Sequence, residues 1–168
     1  LKSYEQMGKL LKGLPNTVVK IKIRRPGEND AREFTVTRQE IKPKNVTYSA
    51  VISGNTGYIH LKEFQEKAAN EVREAVMDLK QKGATSIVLD LRGNPGGLLT
   101  EAVGIVNIFV PKNQLVVEMR GRVKDWDKQF YTSADPVDTQ IPLAVLVNAW
   151  SASASEIVSG ALQDLDRA

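Results

Sequence analysis

The sequence predicts an α/β fold, and three observations carry that prediction. Two short runs, Ser86–Leu91 and Pro142–Asn148, are apolar on both faces, as strands buried inside a parallel sheet are. Each run breaks at small residues, at Gly93-Asn94-Pro95-Gly96-Gly97 and at Ser151-Ala152-Ser153-Ala154-Ser155. Each break leads into a segment of helical period, Leu98–Phe109 and Ala154–Leu165. Strand and helix in alternation imply βαβ units with right-handed crossovers. In such sheets the functional crevice lies at the carboxyl ends of the strands, so residues 92–97 and 148–155 are the ones to watch.

The 168 residues suffice for one domain, or one and a fragment. An apolar content of 42% and a charged content of 26% belong to an ordinary globular chain. The net charge of +3 is spread out, so no nucleic-acid footprint is expected. The densest basic stretch, Lys20–Arg25, alternates with Val19, Ile21 and Ile23 and reads as the wet face of a strand. No apolar run approaches the roughly 20 residues of a membrane span. No signal peptide is visible; because the chain opens on Leu1 rather than Met, a leader removed upstream is compatible with it. Zero cysteines exclude thiol catalysis, disulfides and thiolate metal sites. The single histidine, His60, excludes any motif that needs two, and no Asp/Glu set shows ligand spacing, so no metal and no cofactor is expected.

In chain order, residues 3–12 read as a short helix with Ser3 and Gln6 as a capping box and Met7, Leu10 and Leu11 on its apolar face. Val18–Arg25 and Arg32–Arg38 alternate as strands around the turn cluster Pro26–Asp30 and predict a hairpin. One helix and one hairpin bury too little to stand alone, so this stretch reads as the tail of a small domain. Residues 39–56 are expected to be a linker or crossing strand. Tyr48–Ser53 and Gly57–Leu61 are short and β-prone on either side of a turn at residues 54–57. From Phe64 the period becomes helical through Ala68, Val72, Val76 and Leu79, with Gly83 as the stop. Leu115–Met119 is a third strand after the helix over residues 98–109, and Gly121–Pro136 is a polar excursion whose Trp126, Phe130 and Tyr131 are expected to pack.

A strand that ends in small residues and turns into a helix presents a side chain at the mouth of the sheet and aims free N–H groups at the same point. Serine nucleophiles with oxyanion holes are built that way. Local chemistry leaves open which serine of the run is meant. It also allows a plain helix cap, since Glu156 can complete a capping box with Ser153. The Gly96-Gly97 pair reads either as a tight turn with positive φ or as a donor of an unobstructed N–H. Asp90 and Arg92 read as a local ion pair. No Ser-x-x-Lys pair exists, because Glu156 stands three residues after Ser153.

The residues Gly57-Tyr58-Ile59, Leu89-Asp90-Leu91-Arg92-Gly93-Asn94-Pro95-Gly96-Gly97-Leu98-Leu99, Val145-Leu146-Val147-Asn148, Ser151-Ala152-Ser153-Ala154-Ser155-Glu156-Ile157 and Gly160-Ala161-Leu162-Gln163-Asp164 occur in that order. Together they resemble the C-terminal processing, or tail-specific, serine proteases, with a lean towards members of the Bacteroides type. The resemblance covers about residues 46–168. It implies a core similar to the crotonase and caseinolytic-protease ββα folds over residues 57–168, with the C-terminal part of a PDZ domain over residues 1–38. It implies an endopeptidase acting near protein C-termini through a Ser-Lys dyad, with Ser153 as nucleophile and the N–H groups of Ala154 and Gly97 as oxyanion donors. The family's lysine lies in a segment beyond the motif, past Ala168, and the first strands of the PDZ domain precede Leu1, so the chain is expected to be a fragment. Trp150 stands where many members carry Gly, as a pocket wall or as packing. Partners implied are proteins or peptides with accessible C-termini, in a bacterial cell envelope or periplasm. Sheet edges left open by truncation predict swapping or a homo-oligomer. The same fold also serves non-catalytic binding modules and inactive homologues, but those have no need of the intact serine motif.

Overall fold

A computed structural model describes residues 3–41 and 43–168. The chain forms two compact units, Leu1–Pro43 and Lys44–Ala168.

The first unit holds α1 (Tyr4–Leu11), β1 (Val18–Ile23) and β2 (Arg32–Thr37). The Ser3–Gln6 capping box forms as expected, with Ser3 Oγ accepting from the Gln6 N–H and Gln6 Oε1 from the Ser3 N–H. β1 and β2 pair antiparallel from Val18↔Thr37 to Ile23↔Arg32. Arg38 joins helix to hairpin: its guanidinium donates to the Leu10 and Leu11 carbonyls at the end of α1 and to Thr17 Oγ1 and the Val18 carbonyl. None of the helix's residues is buried, in keeping with the small burial expected of this stretch.

The second unit is built on a four-stranded sheet in the order β3 (Val46–Ile52), β4 (Thr56–Leu61), β5 (Ser86–Asp90), β8 (Leu143–Leu146). β4, β5 and β8 run parallel; β3 is antiparallel to β4 and makes the sheet mixed. The expected linker over residues 39–56 therefore divides. Its second half is an edge strand of the sheet, and Asn45 is buried, donating from Nδ2 to Glu71 Oε1 and the Glu66 carbonyl. Polar composition concealed this, because Asn45 meets its partners from α2 (Ala68–Gln81) and the turn before it.

α2 also begins later than its apolar period suggests. Phe64 is fully buried but lies in an extended segment that pairs with Gly97, and the chain turns through Lys67 at φ 72° before the helix starts. The cap comes from another element: Glu101, in α3 (Leu99–Phe109), accepts from the Lys67 and Ala69 N–H groups. That places a carboxylate at the positive end of the α2 dipole. Gly83, at φ 87°, ends the helix as expected.

α2 packs on α3, and α3 on α4 (Ala154–Asp164). Ile59 and Leu61 of β4 and Ile87 and Leu89 of β5 are buried, while Tyr58, His60 and Val88 between them are only half-buried. This period of two marks one covered sheet face. Leu115–Met119 is a strand, β6, but it leaves the main sheet and pairs antiparallel with β7 (Lys128–Tyr131) inside the expected excursion. Trp126, expected to pack, is 73% exposed, and Tyr131 is exposed as well. Tyr131 sits on a two-stranded ribbon and Trp126 in the connection between its strands, and both have too few neighbours to be covered.

Phe64 combines a fully buried ring with the pairing that seats the glycine turn. Phe64→Ala should lower unfolding stability by about 3–5 kcal/mol, read as a shift of the urea midpoint at unchanged slope.

Candidate active site

The site is made by two loops that leave neighbouring parallel strands. The first follows β5. Asp90, its last residue, is buried, with its carboxylate bonded to the Arg92 N–H at 2.9 Å, to the Arg92 guanidinium at 2.6–3.0 Å and to the Tyr58 hydroxyl. Burial works against its ionisation, but the bonds from Arg92 and Tyr58 prevail and hold the carboxyl at about 2. Hydrogen bonding to that carboxylate, with burial, raises the Tyr58 hydroxyl above its usual range. With every lone pair engaged, Asp90 and Arg92 form the expected ion pair, which braces the start of the loop.

The loop then turns on glycines at φ 73° (Gly93), 99° (Gly96) and 148° (Gly97), a region that side chains disfavour. A Cβ on Gly97 would collide with the Phe64 carbonyl group, 2.8 Å from its carbon. The Gly97 pairing with Phe64 uses the Gly96 carbonyl and the Leu98 N–H, at 3.1 and 2.7 Å. Gly96 donates to Asn94 Oδ1 at 2.8 Å. Among the described residues, the Gly97 N–H has no protein acceptor.

The second loop follows β8. Asn148 to Ser151 close a turn through the Ser151 N–H and the Asn148 carbonyl, 2.9 Å apart. The Asn148 side-chain oxygen accepts from Trp150 in the same turn and from Gly93 across the site, both at 3.0 Å. The loops meet at Asn94, whose side chain is fully buried. Its carbonyl accepts from the Ala152 N–H at 3.1 Å and from Ser155 Oγ at 3.0 Å, and its Nδ2 reaches the Leu61 carbonyl at 2.8 Å. The approach is close enough that a Cβ on Gly96 would lie 2.8 Å from Ser153 Cβ and 2.9 Å from the Ala154 nitrogen.

The three serines, alike in sequence, separate here. Ser151 Oγ donates to the Leu91 carbonyl at 2.7 Å and accepts from the Asn148 N–H. Ser155 is fully buried and bonded to Asn94. Ser153 is exposed, and among the described residues its hydroxyl donates to no protein acceptor. Its backbone sits at φ 55°, ψ −113°, a sharp and strained elbow between strand and helix. The Glu156 carboxylate fixes that elbow by accepting the Ser153 N–H at 2.6 Å, and the Ser153 side chain faces the Glu156 N–H in return, so the expected capping box forms. Ala154 is the first residue of α4, and among the described residues its N–H has no acceptor. The structure thus brings Ser153, Ala154 and the Gly96-Gly97 turn to one point. Asn94 and Asn148, which lock the loops together, lie in the strand-end segments that the sequence marks, but the long-range partners of their side chains come from other elements, so no role for either side chain follows from the sequence.

Residues 55–168 match the family described as peptidase family S41. The chain belongs to peptidase family S41. The S41 match takes in both loops and all three serines. Among curated relatives, the S41 chain is 38% identical over 169 residues to "Probable CtpA-like serine protease" of Staphylococcus haemolyticus, covering 99% of this chain and 33% of that protein. It is 37% identical over 169 residues to "Carboxyl-terminal-processing protease" of Synechocystis, covering 99% and 39%. The chain therefore spans between a third and two fifths of the length of these relatives. Among solved structures it resembles the photosystem II D1 C-terminal processing protease, with a TM-score of 0.61 and 28% identity over 98% of this chain and 46% of that one. A putative S41 protease from Bacteroides fragilis shares the fold at a TM-score of 0.60 and 23% identity, over 86% and 43%.

Two outcomes are expected of this site. Asn94→Ala removes the bonds to Leu61 and Gly96 and should lower stability by about 2–4 kcal/mol, seen in urea unfolding. Asp90 and Asp138 are both held at about 2: burial opposes ionisation in each, and it is outweighed at Asp138 by the Lys80 ammonium and the Gln140 and Ile141 N–H groups. A depressed folded-state value means stability that is present above the unfolded value near 4 and lost as pH falls towards 2. Acid unfolding should therefore steepen in that window, and Asp90→Asn should flatten part of the slope.

Proposed function

We propose that this chain carries the nucleophile half of a serine endopeptidase that processes proteins near their C-termini. The observation that carries the reading is the Ser153 elbow: one exposed, strained serine whose hydroxyl donates to no protein acceptor among the described residues, followed by the Ala154 N–H and packed against the Gly96-Gly97 turn, where the Ala154 and Gly97 N–H groups likewise have no acceptor among those residues. In this reading Ser153 Oγ attacks the scissile carbonyl carbon as a base removes its proton. The N–H groups of Ala154 and Gly97 receive the developing oxyanion, aided by the positive end of α4. The leaving amine takes the proton back, and water then hydrolyses the acyl-enzyme at Ser153.

The base is a lysine located past Ala168 in the full protein. Among the described residues no side chain is bonded to Ser153 Oγ as a base would be, and the nearest carboxylate, Glu156, is engaged with the Ser153 N–H. Residues 1–38 are read as the C-terminal part of a PDZ domain, supported by their helix-then-hairpin order. Such a domain captures a terminal carboxylate in a backbone nest, which fits substrates with free C-termini. The protein is assigned to the bacterial cell envelope on the strength of the family; among the described residues no helix is long and apolar enough to cross a membrane. An open edge on β8 supports a homo-oligomer or a further strand there.

The test is turnover of a fluorogenic peptide with a free C-terminus by the full-length protein. Ser153→Ala should reduce kcat roughly 10⁴-fold or more, and Gly97→Ala roughly 10²-fold, because its Cβ pushes the donor loop away from Phe64. Residues 1–168 alone should show no turnover above the Ser153→Ala background. Cleavage that survives Ser153→Ala in the full-length protein would rule the serine out.

A further inference from the structure

Trp150 is 78% exposed, although it lies in the unit where Phe64 and Phe109 are fully buried. It is not on a floppy tip. It occupies the third position of the closed turn from Asn148 to Ser151, and its N–H is held at 3.0 Å by the Asn148 oxygen that also holds Gly93. The indole is therefore mounted on the frame that joins the serine loop to the glycine loop, three residues ahead of Ser153. The glycine loop carries an exposed apolar side chain of its own: Leu98, 42% exposed, directly follows Gly97, and its N–H is fixed by the Phe64 carbonyl at 2.7 Å. Gly96 packs its backbone closely against Ala152, Ser153 and Ala154, and neither glycine adds a side chain beside Ser153.

We propose that Trp150 is a specificity-determining residue that lines an apolar subsite next to the scissile bond, with Leu98 as its counterpart on the glycine loop. The inference rests on the reading of Ser153 as nucleophile and adds what the site prefers: a large apolar side chain on a residue flanking the cleaved bond. An indole carried on a closed turn offers a large apolar surface with only two side-chain torsions to fix, which is why tryptophan recurs where partners are gripped. No part of the chemistry is assigned to it. It acts on binding, so its effect must depend on the substrate's side chain.

The experiment uses the full-length protein and peptides that differ only in carrying Phe or Gly at the positions flanking the cleaved bond. Trp150→Ala should lower kcat/KM for the Phe peptides by roughly tenfold or more and leave the Gly peptide nearly unchanged, while Trp150→Phe keeps most of the preference. An equal loss on both peptides, or no loss on either, overturns the subsite. Peptide binding is read in parallel by fluorescence anisotropy in the Ser153→Ala background. Weaker binding of the Phe peptide alone on Trp150→Ala supports the subsite, and unchanged binding refutes it. Absent turnover in the parent protein tells against the serine mechanism, while the binding arm still decides Trp150.

Discussion

The geometry depends on one buried carboxamide. Asn94 is fully inaccessible, and each of its polar groups is engaged: its N–H by Leu91, its Nδ2 by Leu61, its Oδ1 by Gly96, and its carbonyl by both Ala152 and Ser155. An unpaired amide in that position would cost several kcal/mol, so the arrangement holds only when every partner is in place. This makes the network all-or-none. It ties the end of β4, the glycine turn after β5 and the serine loop after β8 into one object. Without it the two loops would be independent excursions from a sheet, each free to move on its own.

Preorganisation follows from that tie. Backbone strain at a non-glycine residue persists only when the surroundings over-determine it. Ser153 is over-determined from both sides: Ser151 is bonded to Leu91, Ser155 to Asn94, and the Glu156 carboxylate holds the Ser153 N–H itself. Two serines thus serve as pins, while the hydroxyl of the third has no acceptor among the described residues. The same pattern appears in the glycine turn, where the Gly96 N–H is bonded to Asn94 and the Gly97 N–H has no acceptor among the described residues. Alternating roles along each loop are what the backbone dictates, since successive groups point in different directions.

The supporting fold shows why local sequence preferences are incomplete. The start of α2 is stabilised by a carboxylate from α3, and the polar Asn45 is buried by bonds to the chain around α2. Neither partner is near in sequence. Phe64 keeps a helical spacing with Ala68 and Val72 yet is extended, because its backbone is claimed by the glycine turn more than thirty residues later. In each case a long-range hydrogen bond to a buried group outweighs propensities worth a few tenths of a kcal/mol per residue.

The sequence by itself determined the elements whose cause is local or periodic. These are the existence of strands β5 and β8, the amphipathic face of α2, the Ser3 cap, the hairpin of the first unit, and the glycine and serine turns after the two strands. Burial of β5 and β8 on both faces was not among them, since β5 is covered on one face and β8 is an edge strand with no buried residue. Motif order was legible as well, and with it the family. Choosing one serine from local chemistry was beyond it, because Ser151, Ser153 and Ser155 have the same side chain in nearly the same company. Their difference lies in partners supplied by Leu91 and Asn94, about sixty residues away, and in a backbone angle that no propensity encodes. Tertiary structure also decided that β6 leaves the main sheet to pair with β7, and that Trp150 stands open beside the elbow. Those outcomes depend on which surfaces remain to be covered once the core has closed, and a one-dimensional pattern does not contain that information.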